Sequence, residues 1–111
     1  MPTAPSPAGS LAPLTAVIST HNRAPDLART LEGLLALGYP ELRTIVADNA
    51  SVDGTPELVR KIFPGVQVLR QSDNLPLRGY NLAFDAVRTP YVLVLDDDSC
   101  PRPGTLERLT A

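Results

Sequence analysis

The sequence predicts an α/β fold, in which a parallel sheet of four strands in the order 3-2-1-4 carries helices on both faces. Apolar runs of strand length alternate with segments whose apolar residues recur at helical spacing, which is typical of repeated βαβ units. Each strand-like run also ends in polar residues. The strand order follows from two right-handed crossovers in one direction and a reversal at the first strand.

The strands are predicted from short apolar runs bounded by polar or turn-forming residues, at positions 14–19, 42–47, 66–69 and 91–95. The first helix starts at Pro25. Its residues Leu27, Leu31 and Leu34 recur at helical spacing and indicate the buried face.

The second predicted helix is capped by Thr55, has Pro56 at its first position and ends before Pro64. Proline suits that position because the first helical N–H groups have no intrahelical partner. The third helix spans residues 78–88, and a fourth begins near Pro103.

The 111 residues allow one domain, predicted at 14–111 after a disordered Pro/Ala-rich tail at 1–13. A net charge of −2 argues against nucleic acid as a partner. The sequence shows neither a secretory leader nor an apolar stretch of membrane-spanning length, so we expect a cytoplasmic protein. Peripheral attachment of a longer form to a membrane is the alternative.

The most informative stretch is the apolar run of residues 91–95, which leads directly into Asp96, Asp97 and Asp98. The run predicts a strand buried on both faces. Because side chains alternate along a strand, we expect Asp96 and Asp98 on one side and Asp97 on the other. Two such carboxylates are typical ligands of Mg²⁺ or Mn²⁺. A solvated acidic loop is the simpler alternative for an isolated acidic triplet.

Polar clusters follow all four predicted strands, at residues 19–22, 48–51, 71–74 and 96–99. In a parallel sheet these clusters share one edge, where open α/β sheets bind ligands. The sequence contains neither the glycine pattern of a dinucleotide site nor a P-loop. A bound diphosphate would therefore be neutralised by a metal held by Asp96 and Asp98, with help from Arg23 or Arg78.

From Leu14 onward the chain resembles family 2 glycosyltransferases of the GT-A fold, a Rossmann-like nucleotide-diphospho-sugar-binding domain. The resemblance is carried by the order and spacing of VIST-HNR, VADNASVDGT, QSDN, RGYN and VLVLDDD. It implies a nucleotide-diphosphate sugar as donor, with UDP-sugar expected, and inversion at the transferred sugar.

The resemblance also implies roles for individual residues. Asp48 would accept a hydrogen bond from the base, usually uracil in this family, while Thr20 and Asn22 would border the nucleotide. Asp53, which precedes a glycine, is expected to stabilise its own turn instead of contacting the donor.

At the acidic end of the fourth strand, Asp96 would face the ribose and Asp98 would hold a Mn²⁺ or Mg²⁺ ion that bridges the two phosphates. Arg78 would reach the base or the diphosphate. Its placement departs from the family pattern, because residues 74–81 are one residue shorter than usual and contain Pro76 and Leu77 where glycine is expected.

The catalytic residue is unknown at this stage, since the family's general base is expected beyond Ala111. The chain is therefore predicted to be a donor-binding half, truncated at its C-terminus, that acts toward an unknown saccharide, lipid or protein acceptor. A non-catalytic nucleotide-binding remnant is one alternative. A phosphohydrolase of the haloacid-dehalogenase type is another, because those enzymes also place Asp-x-Asp after an apolar strand.

The predicted strand order leaves the fourth strand at an edge of the sheet. Residues 92–95 would then present unpaired backbone groups and apolar side chains. The isolated chain is therefore expected to self-associate through this edge or to be marginally stable.

Overall fold

The computed structural model describes residues 11–110. Strands and helices alternate along the chain. The strands are β1 (Leu14–Thr20), β2 (Leu42–Asn49), β3 (Gln67–Gln71) and β4 (Tyr91–Asp96). The helices are α1 (Ala24–Ala36), α2 (Thr55–Ile62), α3 (Pro76–Ala86) and α4 (Thr105–Thr110).

The four strands form one parallel sheet in the order β3-β2-β1-β4, which confirms the predicted topology. All four strands end one or two residues later than predicted, because the backbone ladder continues past the last apolar side chain. Thr20 pairs with Asp48, and Asn49 pairs with Gln71. The polar ends of the strands are therefore part of the sheet, which holds them more rigidly than a loop would.

The sheet carries helices on both faces, as predicted. Leu14, Ala16 and Ile18 of β1 face a core shared with α1, α2 and α4. The alternate residue Val17 faces the opposite side and packs with Ala83 of α3. This alternation follows from the two-residue period of a strand.

Helix starts differ from the predictions by one or two residues. Residue Gly54, with φ 86°, precedes α2, and Thr55 is the first helical residue instead of the cap. The predicted capping role passes to Asp53, whose Oδ1 accepts hydrogen bonds from both the backbone N–H and the hydroxyl of Thr55. Helix α3 begins at Pro76, two residues earlier than predicted.

Two glycines allow close packing of helices. A Cβ at Gly33 in α1 would lie 2.9 Å from Cys100 Sγ, so the glycine makes room for the segment before α4. A Cβ at Gly79 in α3 would collide with Asn49 Oδ1. Gly79 therefore lets α3 approach the ends of β2 and β3.

Strand β4 is less buried than predicted. Leu93 and Leu95 pack against the core shared with α1, but Val92 and Val94 on the other face are 45% and 48% exposed. The prediction of burial on both faces was wrong, because α3 packs over β1, β2 and β3 and leaves this part of β4 uncovered.

The predicted tail lies outside the described residues as far as position 10. Of the remaining three residues, Leu11 packs against the core and the Ala12 carbonyl accepts a hydrogen bond of 2.5 Å from Tyr39. Within residues 11–110, no helix is long and apolar enough to cross a membrane.

We expect the 111-residue chain to self-associate in a concentration-dependent manner, because the edge of β4 presents unpaired backbone beside Val92 and Val94. Replacing both valines with threonine should weaken the association, since threonine keeps the strand propensity but lowers the apolar area. Static light scattering over a concentration series measures the effect. Val52→Thr is the control, because Val52 is an exposed valine in a loop. A strictly monomeric wild-type chain would contradict the prediction.

Candidate functional site

The carboxyl ends of the strands bring the predicted site residues to one edge of the sheet. The parallel register places Thr20 beside Asp48 on one side of β1 and Ser19 beside Asp96 on the other. Strand β1 is thus the centre of the site, and each neighbouring strand contributes a carboxylate next to it.

The middle residue of the acidic triplet is a structural clamp. Asp97 is nearly buried, and its Oδ2 accepts a hydrogen bond of 2.9 Å from the Thr20 hydroxyl. Its backbone carbonyl accepts a second one, also 2.9 Å, from the Thr30 hydroxyl of α1. Asp97 therefore fixes the end of β4 against both β1 and α1.

Arg23, just before α1, lies among three carboxylates. Its Nε is 3.1 Å from Asp97 Oδ1, and its Nη2 is 3.1 Å from Asp26 Oδ2 and 3.4 Å from Asp98 Oδ2. Asp97 and Asp98 consequently share one guanidinium. The prediction that Asp97 lies on the other side from Asp98 was wrong, because β4 ends at Asp96 and the next two residues form a turn.

Asp96 lies on the other face of the sheet, in register with Ser19. On this side α3 brings Tyr80 close to both residues. Burial raises the pKa of the Tyr80 hydroxyl, and the negative charge of Asp96 raises it further. The phenol is therefore a polar, protonated group next to the residue that the family resemblance assigns to the ribose.

Asp48, at the end of β2, is fully buried. Its Oδ2 accepts a hydrogen bond of 3.1 Å from the Ser51 N–H and lies 4.0 Å from Nε of Arg70. Its Oδ1 has no hydrogen-bond donor among the described residues. A buried carboxylate oxygen without a donor is energetically costly, and it fits a ligand that offers an N–H group.

The loop after β1 is joined to the loop after β2 by Asn22. The Asn22 N–H donates to Ser51 Oγ at 2.8 Å, and its side-chain Oδ1 accepts from the Val52 N–H at 2.7 Å. His21 Nδ1 lies 2.5 Å from the Asn49 carbonyl. Asn22 and Ala50 both adopt left-handed backbone conformations, with φ of 52° and 60°. Such conformations cost free energy and are retained here by the hydrogen bonds that join the two loops.

A buried amide network supports the same edge from the α3 side. Asn49 donates from Nδ2 to Ser19 Oγ at 2.7 Å and accepts at Oδ1 from Gln71 Nε2 at 2.5 Å. Gln71 also donates to the Leu75 carbonyl at 2.8 Å. The network ties the ends of β1, β2 and β3 to the start of α3 and fits the close approach allowed by Gly79.

Arg78 lies on the first turn of α3 and is exposed. Its described partner is Asp73, at 3.5 Å. The described contacts do not join Arg78 to Asp48 or to the acidic turn. Its predicted role toward the base or the diphosphate therefore remains a prediction.

The structure thus brings the predicted residues Thr20, Arg23 and Asp98 together around Asp97, with Asp96 and Asp48 on either side of β1. Thr20 and Asn22 use their side-chain oxygens to hold the protein itself. Within residues 11–110, no three His, Cys, Asp or Glu side chains form a group suited to a metal. A metal here would need ligands from a bound molecule or water.

Two residues that shape the site were not identified from the sequence. Asp97 was expected on the opposite side from Asp96 and Asp98 and was given no role, and Arg70 was not singled out. Arg70 donates to the Ser51 carbonyl at 3.0 Å, and its register opposite Asp48 was a signal that could have identified it.

Asp53 stabilises its own turn, as predicted, and also has a longer-range contact. Its Oδ2 accepts a hydrogen bond of 3.2 Å from the Ala24 N–H at the start of α1. One carboxylate thereby accepts backbone N–H groups from the first turns of both α1 and α2.

The chain matches the model of the glycosyl transferase family 2 over residues 15–111, and it belongs to that family. Among curated proteins it is 33% identical over 98 residues to the succinoglycan biosynthesis protein ExoO of Rhizobium meliloti (strain 1021). This match covers 86% of the chain and 28% of ExoO.

Solved structures show the same fold. The mannosyltransferase PcManGT from Pyrobaculum calidifontis, in complex with GDP-Man and Mn²⁺, aligns with a TM-score of 0.78 and 26% identity over 87% of this chain and 31% of that one. TarS from S. aureus aligns with a TM-score of 0.79 and 23% identity over 87% of this chain and 18% of that one.

These comparisons define the fold as that of the GT-A glycosyltransferases and exclude the haloacid-dehalogenase alternative. The chain spans less than a third of the length of each of these relatives.

We expect Asp53→Ala to destabilise the fold at neutral pH, because two helix starts lose their hydrogen-bond acceptor. The loss should be only about 0.5–1 kcal/mol, because the carboxylate is exposed. The hydrogen bond from the Thr55 hydroxyl lowers the pKa of Asp53 below 3.8. The charged form is therefore favoured by folding. Its contribution is present above pH 3.8 and is lost as the pH falls through the lower, folded pKa.

Urea unfolding at about pH 7 and about pH 3 tests this, with the exposed α3 residue Asp85→Ala as control. The difference between wild type and Asp53→Ala should shrink at the lower pH. A difference that is equal at both pH values would show that the carboxylate charge is unimportant.

Proposed function

We propose that this chain binds the nucleotide diphosphate of a sugar donor, with a UDP-sugar preferred, at the carboxyl edge of its sheet. The observation that carries the proposal is the buried Asp48 Oδ1, which has no donor among the described residues and lies at the same edge as the acidic turn. The ring N–H of uracil is flanked by carbonyl oxygens and offers the missing donor.

Two bases fit the proposed hydrogen bond to Asp48. Guanine also presents a ring N–H, and PcManGT was solved with GDP-Man. Adenine has no equivalent ring donor. Uracil and guanine therefore differ from adenine in the donor that they offer to Asp48, and the preference for uracil rests on the resemblance to the family.

The residues at the acidic turn fit a divalent cation. Asp98 is 56% exposed at its side chain and Asp96 is also exposed, so both carboxylates are accessible. Mg²⁺ and Mn²⁺ take oxygen ligands, and Mg²⁺ usually combines one or two carboxylates with phosphate oxygens and water. Such a cation, when bound, neutralises the diphosphate and makes it a better leaving group. Asp98 would hold it, with Asp96 toward the ribose.

Other residues of the site organise these groups. Thr20 and Asp97 fix the end of β4, and Asn22 holds the two loops that border the nucleotide. Arg78, on the first turn of α3, is proposed to reach the diphosphate or the base by leaving its exposed pair with Asp73.

We assign the general base to none of the described carboxylates. Asp53 and Asp97 are occupied by hydrogen bonds from the protein, and Asp48, Asp96 and Asp98 are assigned to the donor. The proposed role of this chain is therefore donor binding within a glycosyltransferase. A nucleotide-binding role without catalysis is the second candidate, and the shared Arg23 contact of two of the acids is compatible with either one.

We expect Mn²⁺ or Mg²⁺ to strengthen UDP binding and Asp98→Ala to remove this enhancement, because Asp98 supplies the accessible carboxylate. Calorimetry of UDP binding with and without metal measures the effect, and the exposed Asp85→Ala is the control. Equal UDP affinity in the two conditions would remove the metal from the proposal.

We expect Asp48→Asn to weaken UDP binding roughly tenfold to a hundredfold, since a hydrogen bond to a charged acceptor contributes about 1.5–3 kcal/mol. ADP binding should be weak in the wild type and change little. The same titration with GDP decides between the two candidate bases. Wild-type protein that binds ADP as tightly as UDP would refute the proposed base contact. Circular dichroism should confirm that the buried substitution leaves the fold intact.

A further inference from the structure

We propose that Arg23 is a built-in counter-cation that neutralises the acidic turn and competes with the divalent metal for Asp98. The inference rests on the proposed function, because it takes Asp98 as the carboxylate that receives the metal. It assigns Arg23 a role before the donor binds, in addition to the expected help in neutralising the diphosphate.

The three contacts of the guanidinium differ in length and in the exposure of the partner. The bonds to Asp26 and Asp97 are both 3.1 Å, and these carboxylates are less exposed than Asp98. The contact with Asp98 is the longest, at 3.4 Å. It shares Nη2 with Asp26, so Arg23 keeps two partners when Asp98 leaves. Asp98 is consequently the partner that is most easily released.

Asp97 keeps Arg23 in place during such an exchange. The Asp97 carboxylate is held through its other oxygen by the Thr20 hydroxyl, and its backbone by Thr30. A guanidinium anchored to this residue stays close to Asp98 whether or not the two are in contact. Its positive charge therefore lowers the affinity of the turn for a cation in both arrangements.

The size of the effect follows from Coulomb interaction at an exposed site. A divalent ion on Asp98 and the guanidinium charge nearby repel each other in a medium close to water, with screening by salt. Removing the arginine charge should tighten metal binding about threefold to tenfold at low ionic strength. The gain should shrink as salt is added.

The test measures Mn²⁺ binding alone, from the electron paramagnetic resonance signal of the free ion, with the full 111-residue chain. Arg23→Gln should bind Mn²⁺ about threefold to tenfold more tightly than wild type. Arg23→Lys keeps the charge and should stay close to wild type. Arg29→Gln is the matched control, because Arg29 lies one helical turn further along and forms its ion pair with Asp26, not with Asp98.

Unchanged or weaker Mn²⁺ binding by Arg23→Gln would overturn the inference. If Asp98→Asn still removed Mn²⁺ binding in that case, the proposed metal site would stand without the counter-cation. If Mn²⁺ bound to neither the wild type nor Arg23→Gln, the metal site and the inference would both be overturned. Tighter binding by Arg29→Gln to the same extent would show a general effect of surface charge and would also overturn the specific role.

Discussion

The site depends on the parallel register of β1 with its two neighbours. Thr20 pairs with Asp48 of β2, and Ser19 pairs with Asp96 of β4. Because neighbouring residues of a strand face opposite sides, Asp48 and Asp96 reach opposite faces of the same edge. A shift of this register by one residue would exchange the faces, bury the wrong carboxylate and break the contact between Thr20 and Asp97.

Polar residues at this edge form hydrogen bonds within the protein itself. The Thr20 hydroxyl donates to Asp97, and the side-chain oxygen of Asn22 accepts from an N–H of the loop after β2. Left-handed backbone at Asn22 and Ala50 is tolerated because these bonds hold both loops. The consequence is an edge that is largely organised in advance, where a ligand meets groups whose positions are already constrained. Preorganisation of this kind lowers the entropic cost of binding.

Much of the fold and part of the site could be predicted from the sequence. The alternation of apolar runs was sufficient for the sheet order, because crossover handedness leaves few topologies. It could not show that Val92 and Val94 are uncovered, since that depends on where α3 packs. The shared guanidinium of Arg23 also escaped prediction, because it joins residues 75 positions apart through a turn. Asp48 was singled out at the end of β2, where the period of a strand still applies, whereas Asp98 lies in the turn after β4, where it no longer does.

The hydrogen bonds of Tyr39 have a practical consequence. Its hydroxyl contacts the carbonyl of Ala12 at 2.5 Å and the hydroxyl of Thr110 at 2.7 Å, so the first and last described segments meet at one phenol. Ala12 lies two residues before the start of β1, and the phenol therefore lies at the amino edge of the sheet, remote from Asp48 and Asp98. Removing the hydroxyl would therefore loosen both segments at once, at the edge of the sheet opposite the candidate site.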